Sequence, residues 1–282
     1  MQSRALPYLL LLPATLFLLL FFLYPFALVA WQAFATDEGV LTTKYFDKMI
    51  SHWKFEKALT YTLLLALVVV PIQVALSLLM ATLVASMKKG RDIILYIWTI
   101  PLGISDLAAG LIWLAIFEQT GFLNSMLFST GIIEEPITFL GYQDKGMIFL
   151  AVVLAEVWRA TAIMLVILVA GIGLIPKEYY EAAQVYGANT WQRFTKITLP
   201  LLKPSLQTAL ILRVILAFEV FAVVAALGGT NLPVLMGEVY NRQFELQDSH
   251  TAAAFAMLIL LISIISTVFF MWTLRTPKEA SL

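Results

Sequence analysis

Six long runs of apolar residues, at about 8–33, 61–87, 94–117, 147–172, 205–228 and 252–274, alternate along the chain with shorter polar segments. Each run reaches the length of about 20 residues that a helix needs to cross about 30 Å of lipid tails, at about 1.5 Å per residue. An open strand of that length in lipid would leave its backbone donors and acceptors unpaired, so the runs are predicted to be helices. The pattern therefore predicts an all-α, polytopic membrane protein of about six transmembrane helices. Pro13, Pro25, Pro71 and Pro101 fall inside the runs. Each removes a backbone hydrogen bond and predicts a local bend that neighbouring helices repair.

The polar segments differ in kind. Segment 34–60 mixes charge with Tyr45, Phe46, Trp53 and Phe55, aromatics expected to anchor at headgroup level rather than to form a docking surface. Segment 119–146 contains Gly121, Gly131 and Pro136 and reads as loop with a short interfacial helix, and segment 229–251 is a third loop. No internal repeat, Gly/Ser linker or low-complexity tract divides the chain, so 1–282 reads as one membrane domain.

Basic residues orient it. With a cytoplasmic N-terminus the inside segments hold ten (Arg4, Lys88, Lys89, Arg91, Lys177, Arg193, Lys196, Lys203, Arg275, Lys278) and the outside segments six (Lys44, Lys48, Lys54, Lys57, Lys145, Arg242). The excess, concentrated in the short Lys88-Lys89-Gly90-Arg91 loop, predicts that both termini lie on the cytoplasmic side of a cytoplasmic (inner) cell membrane. Ala33-Phe34-Ala35 resembles a signal-peptide cleavage site, but the run before it is about twice the usual signal length, and the first span is expected to be retained.

Composition agrees with lipid as the main solvent: 61% of residues are hydrophobic and 13% charged, against about half and about a quarter in soluble domains. The net charge of zero argues against a nucleic-acid partner, which would need a basic face. With no cysteine there is no disulfide, thiolate nucleophile or cysteine-bound metal. His52 and His250 stand apart as loop residues, and no metal or nucleophile–base constellation points to an enzyme. No G-x-x-x-x-G-K-[ST] phosphate loop is present, so ATP chemistry would have to come from a partner.

Two features carry candidate function. The first is segment 175–200, too polar to enter the membrane yet regular. Pro176 suits a first helical turn, Glu178 and Glu181 suit its positive end, and Tyr180, Ala183 and Gly187 share a face. Gly187 supplies a bend, and a second helical stretch runs to Pro200. A docking peg and a flat surface helix both fit this pattern. The second feature is charge inside the runs: Asp106, Glu156, Arg159, Arg213 and Glu219. Such charges are costly in lipid by about 3 kcal/mol or more each and need a partner, a cavity or a function. Glu156 and Arg159, three apart, share a helix face and are expected to pair, whereas Arg213 and Glu219, six apart, are not. Either the charges hold helices together, or they line a polar cavity that meets a hydroxylated solute beside Trp158, Phe218 and Phe221.

Glu181-Ala182-Ala183, Gly187-Ala188, Ile197 and Leu199-Pro200 resemble the EAA loop of binding-protein-dependent ABC importer permeases. Ile175-Pro176, Trp191, Phe194 and Lys203-Pro204 are similar to the carbohydrate type, specifically MalF-like subunits. The resemblance implies a coupling helix, formed around Glu181, Ala182, Ala183, Tyr186, Gly187 and Ala188, that fits a cleft on a cytoplasmic ATPase subunit. It implies as partners a second homologous permease, two ATPase subunits and an extracytoplasmic solute-binding protein. ATP and Mg would then stay on the ATPase subunits, with no cofactor on this chain. It also implies a sugar pathway by alternating access, near Trp158, Arg159, Ala160 and Ile163 in the fourth span and Ala217, Phe218, Glu219, Val220 and Phe221 in the fifth. The chain departs from the family where Asp is common and Tyr186 stands, where Asn-Thr is common and Tyr61-Thr62 stands, and where Gly-Gly-Pro is common and Gly228-Gly229-Thr230 stands. An importer of a polyol, glycerol phosphate or amino acid is an alternative. An ion-coupled secondary transporter using Glu156, Asp106 or Glu219 is another, and it leaves the EAA loop without a role.

Overall fold

Helices occupy every apolar run in the computed structural model, which describes residues 6–274. Arg4, Arg275 and Lys278 of the orientation count lie outside those residues. Five stretches are long and apolar enough to cross a bilayer: Tyr8–Phe34, Phe55–Ser86, Asp106–Ser129, Lys145–Gly173 and Ser249–Thr273. Counted as one span, the bent pair Thr190–Leu201 and Lys203–Phe218 would make six.

Two of the six runs are not continuous helices. The third breaks into Arg91–Thr99, a tight 3-10 turn at Ile100–Gly103, and Asp106–Phe117. Pro101 cannot donate within the helix, and Ser105 restarts it by accepting the Ala108 N–H at 3.2 Å. The stretch from Asp106 to Ser129 contains a turn at 118–121, so Phe122–Ser129 is the short helix expected in segment 119–146. The fifth run breaks at Glu219–Phe221, between Lys203–Phe218 and Ala222–Leu227, with Phe221 at φ −140° and ψ −57°. Lys203–Phe218 alone measures about 24 Å, too short to cross the hydrocarbon core. In the first span a π-turn at Leu19–Leu23 sits just before Pro25, whose missing N–H shifts the hydrogen-bond register there.

The second and fourth spans form the central pair, with the most extensive packing in the molecule. In lipid, burial of apolar surface gives little drive for helix pairing, so close backbone approach through small residues matters more. The second span buries Ala58, Ala66, Ser77 and Ala81, and the fourth buries Ala151, Ala155, Ala162 and Gly171. The fourth is the most enclosed span, whereas the first buries none of its most apolar window and packs chiefly on the last. Those exposed Leu and Phe side chains face the solvent their composition selects, the acyl chains.

Gly171 marks the closest approach. A Cβ there would lie 2.6 Å from Ser205 Cβ and 2.8 Å from Leu202 Cδ1, where the fifth span begins. Gly171→Leu is expected to wedge the fourth and fifth spans apart and to cost about 1–3 kcal/mol. An unchanged midpoint of thermal unfolding in detergent would contradict this packing.

At the end opposite segment 175–200, the loops close on the last span. Lys48 donates to Asp248 at 2.7 Å, and the His250 ring bonds Gln32 O at 2.8 Å and Asp37 at 2.9 Å. Tyr45 stacks on His250 at 4.4 Å, Phe46 packs on Phe34 and Phe55 on Phe255. Of the four aromatics expected at the headgroups, only Trp53 is exposed, under the Lys54 ammonium. The others are pulled inward because this loop covers the ends of the second and last spans. His250 is likewise no isolated loop residue but the joint between the first and last spans. Burial pushes the Asp248 carboxyl up, but hydrogen bonds from Lys48 and Thr251 outweigh it and hold the group below its ordinary value. Burial and the Arg242 guanidinium push the His52 imidazole down.

Candidate functional site

Segment 175–200 forms a helix, a glycine turn and a second helix. The first helix is Lys177–Val185, with Glu178 in its first turn and no residue buried. Its end is a paired cap: Ala188 N–H donates to Ala183 O at 2.9 Å and Gly187 N–H to Gln184 O at 3.0 Å. This cap needs the left-handed backbone that Gly187 adopts at φ +75°. The second helix starts from a reciprocal cap. Gln192 N–H donates to Asn189 Oδ1 at 2.8 Å and Asn189 N–H to Gln192 Oε1 at 2.9 Å. It runs through Thr190–Arg193 and a π-turn at Phe194–Thr198, and then bends by 67° into the fifth span.

The two arms are tied by the Tyr180 and Thr198 hydroxyls, 3.0 Å apart. The outer face is bare. Glu181, Ala182 and Gly187 are exposed, Ala183 and Ala188 are half-buried, and Val185 and Tyr186 are 85% and 90% exposed. The face centred on Val185 and Tyr186 is capped on both sides of the Gly187 turn and uncovered by the other described residues.

Four of the five charges inside the spans form one network. Arg159 reaches Asp106 at 2.8 Å and Glu156 at 3.4 Å, and Arg213 reaches the other Glu156 oxygen at 2.9 Å. Gln73 of the second span completes it, accepting from Arg213 Nε and donating to the Glu156 carbonyl at 2.8 Å. Four spans therefore meet through five side chains. Along the network the charges alternate, Asp106, Arg159, Glu156, Arg213, and sum to zero. Glu156, Arg213 and Gln73 are essentially fully buried, while half of Asp106 is exposed. Asp106 stands in the first turn after the break in the third span, where the positive end of the helix favours a carboxylate. Arg213 Nη1 and Arg159 Nε have no partner among the described residues.

Sequence reasoning finds four members of this network and misses Gln73, whose signal was a single amide in the middle of an otherwise apolar run. It also leaves Arg213 without a partner, because that partner lies on another helix and not six residues along its own. Glu219 does not join the network. It lies exposed at the end of Lys203–Phe218, beside Ser263 and Thr267 of the last span.

The remaining expected pathway residues divide by burial. Ala160, Ala217, Phe218 and Val220 are buried, so in this conformation they shape the core rather than offer surface to a solute. Phe218 belongs to a cluster with Val214 and Phe255. Ile163 is half-buried, and Trp158 is 36% exposed, edge-on to Trp113 with ring centres 6.1 Å apart. Phe221, at the break in the fifth span, stacks on Tyr240 at 4.8 Å. Thr62 accepts the Leu235 N–H at 2.9 Å and thereby anchors the helix that carries Tyr240.

The family of binding-protein-dependent transport system inner membrane components matches residues 73–275. The trehalose/maltose transport system permease protein MalF of Thermococcus litoralis is 30% identical, covering 99% of this chain and 96% of its own length. The sn-glycerol-3-phosphate transport system permease protein UgpA of Agrobacterium fabrum is 27% identical, covering 95% of this chain and 94% of its own length. Among solved structures, a bacterial ABC transporter involved in the import of the acidic polysaccharide alginate has the same fold. Its TM-score is 0.82 at 23% identity, over 96% of this chain and 95% of that one.

Proposed function

The chain belongs to the family of binding-protein-dependent transport system inner membrane components, and we propose that it forms, with a second similar permease, the passage through which a sugar is imported. As a multi-pass membrane protein it lies with both termini in the cytoplasm, and the 175–200 segment on the same side. Two ATPase subunits dock beneath, and a binding protein delivers the solute from the other face. ATP and Mg stay on the ATPase subunits, and this chain carries no covalent chemistry.

The observation that carries the reading is the bare, doubly capped helix pair around Gly187. An apolar face with Val185 and Tyr186 almost wholly uncovered is suited to fill a cleft on another subunit. Rigid caps let it transmit a push without bending. ATP binding draws the two ATPases together, the pegs follow, and the fourth and fifth spans that flank the peg swing with it. The closely packed Gly171–Ser205 contact lies at the root of that lever.

The charge network bears on the solute and on the energy source. Its charges cancel, so a passage beside it attracts neither anions nor cations strongly, which favours a neutral polyhydroxylated solute. Sugar transport by the relative at 30% identity points the same way. Glu156 and Asp106 are both engaged by arginines, which leaves them poorly suited to carry protons in a secondary transporter. Uptake of labelled trehalose or maltose into vesicles that hold the chain with its neighbouring transport subunits tests the reading. Uptake is expected to need ATP and the binding protein and to survive a protonophore. Uptake abolished by the protonophore and indifferent to ATP would replace this reading with ion coupling.

A further inference from the structure

A cavity of about 480 Å³ lies behind the coupling segment, at the adjoining ends of the second and fourth spans. Its walls come from the end of the second span, the start of Arg91–Thr99, the end of the fourth span and the inner side of the helix pair. Among the described residues three cationic side chains line it, Arg91, Lys177 and Arg193, and no carboxylate does. The ion pairs among the described residues all involve other side chains. Arg193 Nη2 donates to the Thr190 hydroxyl at 3.3 Å, but its Nε is buried without a partner.

The hydroxyls in the wall do not relieve this excess. Thr82 and Ser86 already give their hydrogens to carbonyls of their own helix. Most of the remaining surface is apolar, from Ile175, Phe194 and their neighbours. Three like charges gathered in a partly enclosed apolar space repel one another, and a bound anion would turn that repulsion into attraction. Guanidinium groups match phosphate oxygens best, through paired N–H donors. The cavity lies where the apolar lengths of the second and fourth spans end, and basic pockets between spans on the cytoplasmic side suit acidic headgroups. Apolar walls suit the glycerol and first acyl carbons.

We propose that this cavity binds the phosphate-bearing headgroup of an anionic membrane lipid, which staples the coupling segment to the second and fourth spans. The site is independent of which solute is carried. A lipid there braces the peg from behind, so lipid composition would set how stiffly the lever moves.

Native mass spectrometry of the purified full-length chain tests the proposal, with phosphatidylglycerol and phosphatidylcholine of the same acyl chains as probes. Phosphatidylglycerol is expected to bind on the order of tenfold more tightly than phosphatidylcholine. The preference should vanish in Lys177→Gln/Arg193→Gln and persist in Lys88→Gln/Lys89→Gln, which removes equal charge outside the cavity. If Arg193→Gln fails to fold, Arg193→Lys serves in its place, keeping the charge and losing the fork, and should retain part of the preference. Equal binding of the two lipids, or equal loss in both double variants, would overturn the site. Inorganic phosphate is the second arm. If millimolar phosphate binds with the same dependence on Lys177 and Arg193 while no lipid is preferred, the lipid source is overturned and the cavity takes free phosphate.

Discussion

Replacing Arg213 by leucine is expected to destabilise the folded protein by about 3–5 kcal/mol, the cost of leaving a buried carboxylate and an amide oxygen without their donors. The loss would strand one Glu156 oxygen and the Gln73 Oε1 atom at positions that water does not reach. Glu156→Leu should cost a similar amount, because it leaves Arg213 with a full charge and only Gln73 to meet it. The double variant Glu156→Leu/Arg213→Leu should recover most of the loss. It removes one charge of each sign, keeps the Asp106–Arg159 pair at 2.8 Å intact, and fills the site with apolar volume, a replacement that often costs nothing or stabilises. Unfolding titrations of the two single variants and the double variant in mixed micelles measure the coupling. If each single variant loses less than about 0.5 kcal/mol, the pair contributes no more than an exposed one, and the network is not what binds the four spans.

The second large effect concerns Gly187 and is functional. Its backbone lies at φ +75°, and a Cβ there would meet nothing within 4 Å. Within this chain a side chain at 187 therefore costs only backbone strain, about 1–2 kcal/mol for an ordinary residue and less for asparagine, which tolerates the left-handed region. On the proposed docking, however, position 187 faces the ATPase subunit. Gly187→Asn is expected to fold normally and keep the cap, yet lower ATP-driven uptake by about 30-fold or more, the effect of a hot-spot loss of about 2 kcal/mol. Gly187→Val adds strain to bulk and should be worse. Wild-type uptake in the asparagine variant would mean that nothing sits against this turn. Loss of folding in that variant would mean that the turn serves the chain and not a partner.

The two features were legible to different degrees. Segment 175–200 is nearly complete in sequence, because its structure is local. Pro176, Glu178, Gly187 and the Asn189–Gln192 cap all act within a few residues, and each contributes in any surroundings. The Asn-x-x-Gln spacing was a further signal that pattern reading could have used. The intramembrane network was legible as a set of costly charges but not as a set of pairs. Only Glu156–Arg159, three apart on one helix, follows from spacing. Asp106–Arg159, Glu156–Arg213 and Gln73–Arg213 bridge separate spans. Glu219, which spacing does not pair with Arg213, stays outside the network, exposed beside the last span.

Spans show the same division. Length and hydropathy alone require about six membrane runs and place the first, second, fourth and last close to the helices found, because lipid thickness and backbone pairing leave a chain no other choice. That is as far as hydrophobicity reaches. Where the fifth run breaks, which small residues bring the second and fourth spans together, and which charges find one another depend on neighbours tens of residues away. Lipid rewards every apolar face alike, so the choice among faces falls to close packing and to the pairing of buried charge, and only the tertiary structure decides those.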